Sequence, residues 1–403
     1  MVAAGGGCYI MPMNRPARIL PIIIFSQFTG TSLWFSGNAV LPDLQRDWGL
    51  SAHATGYTTS AVQFGFVIGT LLFAFLVIAD RFSPRVVFFY CSLAGAAANA
   101  ALLIAPEGPA SLLLLRLATG FFLAGIYPVG MKIAAGWYAE SLGRALGYLV
   151  GALILGTAFP HLLRSIGADL PWQQVVGPVS LLAVVGGLMI LLLVPDGPHL
   201  PRVTAFDSRA LVIIFRSAKF RASAFGYFGH MWELYALWAF IPALLLAYGK
   251  AQGTELDVSL WSFAAIAVGA IACAGGGILS TRMGSAPVAA VLLAISGLCC
   301  LLSPLFFDAG PPVFLAFLLV WGFSVSSDSP QFSALNAANA PREFVGSALT
   351  IVNSIGFLIT VASIQLADAL LPLLGARYLF LLLLPGPVLG LWAFRSLLMA
   401  DKK

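Results

Sequence analysis

The chain has 403 residues, of which 60% are apolar and 9% charged, with a net charge of +5. A soluble fold carries about 25% charged residues, and so few cannot cover this much apolar surface, which excludes a soluble enzyme, a nucleic-acid binder, a disordered chain and a coiled coil. The apolar runs are continuous rather than alternating, which excludes a β-barrel and leaves an all-α membrane protein with room, at about 33 residues per helix and loop, for roughly twelve crossings.

Residues 1–18 form a Gly-rich tail with no periodicity, in which Met11 and Met13 are alternative translation starts. Arg15 and Arg18 precede an apolar run over 19–41. That run is too long for a signal-peptide core and shows no cleavage site, so it reads as an uncleaved first span. Further spans are expected at 57–79, 86–105, 111–135, 145–163 and 174–194. A basic connection over 195–221 follows, with a short amphipathic stretch from Asp207 to Phe220 suited to the inner membrane surface. The remaining spans are expected at 222–248, 258–280, 286–304, 312–336, 345–366 and 377–397, before a tail over 398–403. The organisation is thus a six-helix bundle over 19–194, a linker, and a second bundle over 222–397. With both termini inside, sixteen of the 21 Lys and Arg face the cytoplasm and four the outside, while Arg116 lies within a span. That bias places the chain in a bacterial inner membrane with cytoplasmic termini. The five cysteines lack metal-ligand or redox spacing and read as small hydrophobes, so no metal site is expected.

The two halves repeat. At an offset of about 200, Phe25, Phe28 and Pro42 match Phe225, Phe228 and Pro242. Asp80-Arg81 aligns with Thr281-Arg282, Tyr127-Pro128 with Ser329-Pro330, and Gly143 with Gly346. Parallel six-helix repeats joined by a basic loop are the architecture of a rocking-bundle transporter.

Two motifs then resemble a known family. Asp80-Arg81-Phe82-Ser83-Pro84-Arg85 is similar to the D-R-x-G-R-R/K loop after helix two of the major facilitator superfamily, with Ser83 at the second glycine and Leu76 at the first. The second copy, Gly277 to Gly284, keeps Arg282 and Gly284 but has Thr281 for the acid. Arg116 to Gly120, continuing to Gly125 and Gly130, resembles the family's helix-four R-x-x-x-G motif. The resemblance covers the whole chain. It implies twelve helices in two pseudo-symmetric bundles, with helices one, four, seven and ten lining a central cavity. It also implies that Asp80, Arg81, Arg85 and Arg282 gate the inner ends of the halves. Helix five, Gly147 to Gly156, lacks the Gly-Pro pair of the proton-driven drug antiporters. Helices two and eight lack the interior arginines by which nitrate and nitrite porters hold their anion.

Ionisable groups at membrane depth cost about 2.5–3.5 kcal/mol each on insertion scales, so each is a candidate site. Glu233 stands near the middle of span seven with His230 one turn before it, and Asp328 precedes Pro330 in span ten. These three are the candidate proton carriers, against the alternatives of a structural pair and a helix cap. Arg116 is the candidate anion ligand, with a buried ion pair as its alternative. Lys132 reads as snorkelling to the inner headgroups. Polar residues complete a substrate set: Gln27, Thr31 and Asn38 on span one, Tyr127 on span four, Tyr235 and Trp238 on span seven, Gln331 on span ten and Asn353 on span eleven. Trp34 and Thr360 also lie on the polar faces, and His161, after Pro160, reads as structural.

The leading reading is a non-enzymatic secondary transporter. It would act as a monomer in the lipid bilayer, use no cofactor or nucleic acid, and draw on a proton gradient because no phosphate-binding loop is present. Symport of a small organic anion is favoured. An exporter of cationic or amphipathic compounds is the alternative, and a sensor or a metal importer through His230 and Met231 is more remote.

Overall fold

The computed structural model describes residues 16–138, 142–167, 170–200 and 209–400, and all regular structure among them is helical. Ten helical stretches are long and apolar enough to cross a membrane. The last of these, 342–399, holds two crossings, because the chain leaves helical geometry at Gly375 (φ 67°). Ile19–Thr31 adds a shorter apolar helix, which brings the crossings to the twelve expected. In chain order they are α1 (Ile19–Thr31), α2 (Ala54–Phe75), α3 (Pro84–Ala100), α4 (Pro109–Leu123 with Tyr127–Trp137), α5 (Leu142–Ile166) and α6 (Gln173–Leu193). The second set is α7 (Ala218–Gln252), α8 (Val258–Met283), α9 (Ser285–Phe306), α10 (Pro311–Ser327 with Ser329–Asn339), α11 (Val345–Leu379) and α12 (Pro385–Ala400).

Three boundaries differ from expectation. The first span does not run unbroken to 41: α1 stops at Thr31, and two short helices, Ser36–Ala39 and Leu41–Asp47, continue the path. The carbonyls freed there are satisfied by a side chain from α4, so the break needs neither Pro nor Gly. The eleventh span continues past 366 to the turn at Gly375, where a positive φ suits glycine. Phe220 does not end a surface stretch but sits fully buried in the first turn of α7, whose cap is Ser217. The rest of the described linker is two short turns, Ala210–Ile213 and Ile214–Arg216, and Asp207 lies outside the described residues.

Small residues let the helix backbones touch, as membrane packing requires. A Cβ on Gly120 of α4 would lie 2.0 Å from the Val62 carbonyl oxygen of α2, and one on Gly65 would lie 2.1 Å from the Leu117 oxygen. The same crossing recurs between α8 and α10, where a Cβ on Gly322 would lie 1.8 Å from the Ala265 oxygen. Gly120 and Gly322 stand at the repeat offset seen in the sequence.

Between the halves, α5 lies along α8 and α2 along α11. The α5–α8 contact is backbone-close, with the Gly151 Cβ position 3.2 Å from the Ala270 oxygen. The side of the bundle that carries the termini is called the termini face, and the opposite side the far face.

Candidate functional site

The far face is shut by polar contacts between the halves. In the α1–α2 loop His53 Nδ1 lies 2.8 Å from Asp368 Oδ2 of α11, and the Gly56 amide donates to Asp368 Oδ1 at 3.0 Å. Gln365 of α11 donates to Ser60 of α2 at 2.8 Å, and Ser165 at the end of α5 donates to Asp257 before α8 at 2.5 Å. Gly56 has no side chain because one would collide with Asp368, whose Cγ lies 2.5 Å from the Cβ position. None of His53, Gly56 or Asp368 stood out in the sequence. They are far apart along the chain, and only docking of the halves makes them a group.

Below this closure the midplane is plugged by aromatic rings. The break in α1 sends Trp34 and Phe35 across to the other half. Trp34 stacks on Tyr235 at 5.7 Å and on Phe357 at 5.6 Å, and Phe35 meets Trp238 edge-on at 6.3 Å. Trp34 Nε1 donates to Gln63 at 3.1 Å, which fixes the ring.

Under the plug lies a central cavity of about 30 Å³. That is room for a single water, so the structure is closed around its centre. Tyr127, Tyr227, Tyr235, Trp238, Ser326, Ser329, Ser333 and Asn353 line it, together with apolar residues of α5, α7 and α11. No charged side chain is among them. Of the substrate candidates, Tyr127, Tyr235, Trp238 and Asn353 are thus brought together. α5 contributes Val150, Leu153 and Ile154 to the wall, an element the sequence reading did not include.

The lining has one further feature. Both α4 and α10 are discontinuous, and each restarts at this cavity, α4 at Tyr127 before Pro128 and α10 at Ser329 before Pro330. A proline just inside a helix start removes only an amide that would be unpaired anyway. The starts of two helix segments, one from each half, therefore meet at one small volume.

The other candidates lie behind the wall. His230 and Asp328 are both fully buried, with His230 Nδ1 2.8 Å from Asp328 Oδ1. Tyr227 and Met231 flank His230 and line the cavity, as does Ser329 next to Asp328, so the pair stands one layer back. Glu233 is not paired with His230. It turns into its own half and accepts from Trp321 Nε1 at 2.8 Å, Ser296 Oγ at 2.9 Å and Cys300 Sγ at 3.3 Å. Gln331 is buried and approaches α8 near Gly276. Ser324 donates to Trp321 O at 3.1 Å and Thr360 to Phe357 O at 2.7 Å, so both hydroxyls are spent within their helices.

In the first half Arg116 is fully buried and, among the described residues, has no acid beside it. Its guanidinium donates to Asn99 Oδ1 and the Leu33 carbonyl, each at 3.1 Å, and to the Trp34 carbonyl. Asn99 in turn donates to Ser180 at 2.9 Å and Ser36 at 3.2 Å. Gly37 packs closely beside it, with its Cβ position 3.0 Å from Arg116 Cδ. Thr31 donates to Gln27 O at 2.8 Å, and Gln27 packs against Gly130. Asn38 donates to Thr59 at 2.6 Å near the far face.

On the termini face a cleft of about 210 Å³ separates the halves, lined by Thr70, Asp80 and Lys132 on one side and Gly346, Ser347 and Thr350 on the other. Lys132 Nζ lies 2.5 Å from Asp80 Oδ1 and donates to the Ala79 carbonyl at 2.7 Å, so here it holds the loop rather than reaching for headgroups. Arg85 lies 3.9 Å from Asp196 at the end of α6, and Arg81 and Arg282 are exposed.

Asp368→Ala is expected to loosen the far face. It removes a carboxylate that holds two partners across the halves, where charged hydrogen bonds contribute about 1.5–3 kcal/mol. A thiol placed at Ser60 should then react with a membrane-impermeant maleimide at least about tenfold faster, by the 1.4 kcal/mol-per-decade conversion. Unchanged labelling would show that Asp368 does not hold this face shut.

The family model described as Major Facilitator Superfamily matches residues 23–364. No curated protein matches the chain. Among solved structures, a bacterial homologue of the human lysosomal transporter Spinster, in an inward-facing and unoccupied conformation, is similar with a TM-score of 0.74 at 13% identity, over 96% of this chain and 99% of that one. The nucleoside transporter NupG is similar with a TM-score of 0.70 at 15% identity, over 94% and 99%. The human organic anion transporter MFSD10 (TETRAN) is similar with a TM-score of 0.69 at 16% identity, over 94% and 100%. At these identities the likeness is one of fold.

Proposed function

The chain belongs to the Major Facilitator Superfamily, and from that premise we propose that it is a proton-coupled symporter of a small organic anion with a ring-bearing body. Membership implies secondary transport across a membrane, and a rocking-bundle cycle requires the two faces to open in turn. The observation that carries the finer reading is the restart of both α4 and α10 at the central cavity. Two helix N-termini there favour negative charge, and no carboxylate lines the cavity to hold a cation. Tyr127, Tyr235 and Trp238 offer ring faces, and Asn353 and Ser329 offer hydrogen bonds. That one of the similar structures is an organic anion transporter is consistent with this choice and does not decide it.

His230 and Asp328 are the proton site in this reading. A carboxylate and an imidazole in contact can hand a proton from one to the other, and such residues mark proton relays within membranes. The backbone joins Asp328 to Ser329, so a change of charge in the pair acts directly on the second helix start. The basic side of the chain, the termini face, is cytoplasmic in a bacterial inner membrane, and the protein works as a monomer. The conformation described is then the one closed to the outside.

The test is a stability screen of the purified chain at pH 5.5 and 7.5 against benzoate, benzyl alcohol and benzylamine. A ligand at 100 times its Kd contributes about 2.7 kcal/mol. Benzoate should stabilise, and more at pH 5.5. Stabilisation by benzylamine alone, abolished in Asp328→Asn, would make the protein an exporter of cations. In proteoliposomes, Asp328→Asn should lower proton-driven accumulation at least about tenfold while leaving solute exchange at equal pH within a few fold. Equal loss of both would remove the proton role from the pair.

A further inference from the structure

A second space between the halves is larger than the central cavity. A vestibule of about 400 Å³ lies at the far face, beyond the aromatic plug, between the end of α5 and the short helices after α1 on one side and α7 and α8 on the other. That volume suits a small organic molecule. The wall from α7 is apolar, made by Ala239, Pro242, Ala243 and Leu246. The opposite wall is polar, with Asn38 and His161 in it. Both are nearly buried, and Asn38 Oδ1 and His161 Nε2 have no hydrogen-bond partner. Buried polar atoms without partners are uncommon and call for an explanation.

The charges of the vestibule do not cancel. Arg164 is held by Asp43 at 3.0 Å, and Arg46 pairs with Asp43 at 3.2 Å and with Asp47 at 2.9 Å. Those two cations balance those two acids. Asp257, itself exposed, is left over: it accepts from Ser165 and from the Leu260 amide at 2.8 Å, and among the described residues it makes no ion pair. It lines the vestibule from the second half.

We propose that this vestibule is a second binding site, distinct from the central cavity, for a small organic amine. The ammonium is held by Asp257, the hydrogen-bond donors meet Asn38 and His161, and the hydrocarbon body lies on Ala239, Ala243 and Leu246. Because its two walls belong to different halves, an occupant bridges them while the far face is closed. It therefore favours the closed arrangement and slows the cycle as an inhibitor rather than a cargo. The site does not depend on what the central cavity carries.

The experiment uses the full chain in nanodiscs, with Ser259→Cys as reporter. Ser259 lines the vestibule, and Cys91, Cys273, Cys299 and Cys300 are buried, so a Cys8→Ser background leaves one accessible thiol. Labelling by a membrane-impermeant maleimide is followed with benzylamine, benzyl alcohol or benzoate present. Benzylamine should slow labelling at least tenfold, with benzoate inert and benzyl alcohol weak. Asp257→Asn should remove the preference for the amine while still capping α8, since asparagine caps as well as aspartate. Ala243→Trp, which fills the space, should remove all protection. No protection by benzylamine, equal protection by benzoate, or protection that survives Ala243→Trp each overturns the proposal. Benzoate that stabilises the protein without protecting Ser259 leaves the central anion site standing on its own.

Discussion

Gly120→Val and Gly322→Val are each expected to abolish recovery of folded protein. The Cβ positions lie 2.0 Å and 1.8 Å from backbone carbonyl oxygens of the neighbouring helix, and backbone cannot swing aside as a side chain does. Relief requires α2 to part from α4, or α8 from α10, along the whole crossing. Losses above about 4–5 kcal/mol are exceptional for one substitution, and this clash belongs there, against a total stability of about 5–15 kcal/mol. Gly275 and Gly277 provide the control, because a Cβ at either meets nothing within 4 Å. Size-exclusion profiles of tagged variants check it. A monodisperse peak of wild-type height for either valine variant, alongside normal Gly277→Val, would contradict the packing described.

The paired effect also bears on how the fold is written in the sequence. Crossings are legible because a span needs a run of apolar residues, and such runs need no tertiary information. The repeat is legible because each half solves the same packing problem, with Gly120 and Gly322 in the same place. The breaks in α4 and α10 are marked by Pro128 and Pro330, beside Tyr127 and Asp328. The break in α1 has no such mark. It depends on Arg116, which is distant in sequence, and unwound backbone at membrane depth is visible only when its hydrogen-bond partner is known. Tyr235 and Trp238, candidates on α7, line the central cavity with Tyr127, whereas Glu233 on the same helix turns away from it. A helix in a bundle has two buried faces, and periodicity does not say which one meets the substrate. The His53–Asp368 contact was invisible for a different reason: it joins residues 315 positions apart that only the docking of the halves brings together.

Arg116 shows why charge at membrane depth does not by itself identify a substrate ligand. Arg116→Met is expected to destabilise the chain by about 3 kcal/mol or more, since each buried acceptor left without its donor costs about 1–3 kcal/mol. It would leave the Leu33 and Trp34 carbonyls and Asn99 Oδ1 without their donor. Arg116→Lys restores the charge but not the fork that reaches three acceptors at once, so it should recover only part of the loss. Protein that survives should bind benzoate within a few fold of wild type, because Arg116 does not line the central cavity. A stable Arg116→Lys protein with a large loss of anion binding would return Arg116 to the substrate site. Glu233 is the counterpart in the second half. There α7 continues as one helix, and three donors from α9 and α10 converge on an acceptor instead. Glu233→Gln keeps a carbonyl oxygen for Trp321 and should cost less than Arg116→Met. The two halves thus fasten the same element of the repeat with opposite charges, because one carries a broken helix and the other a whole one.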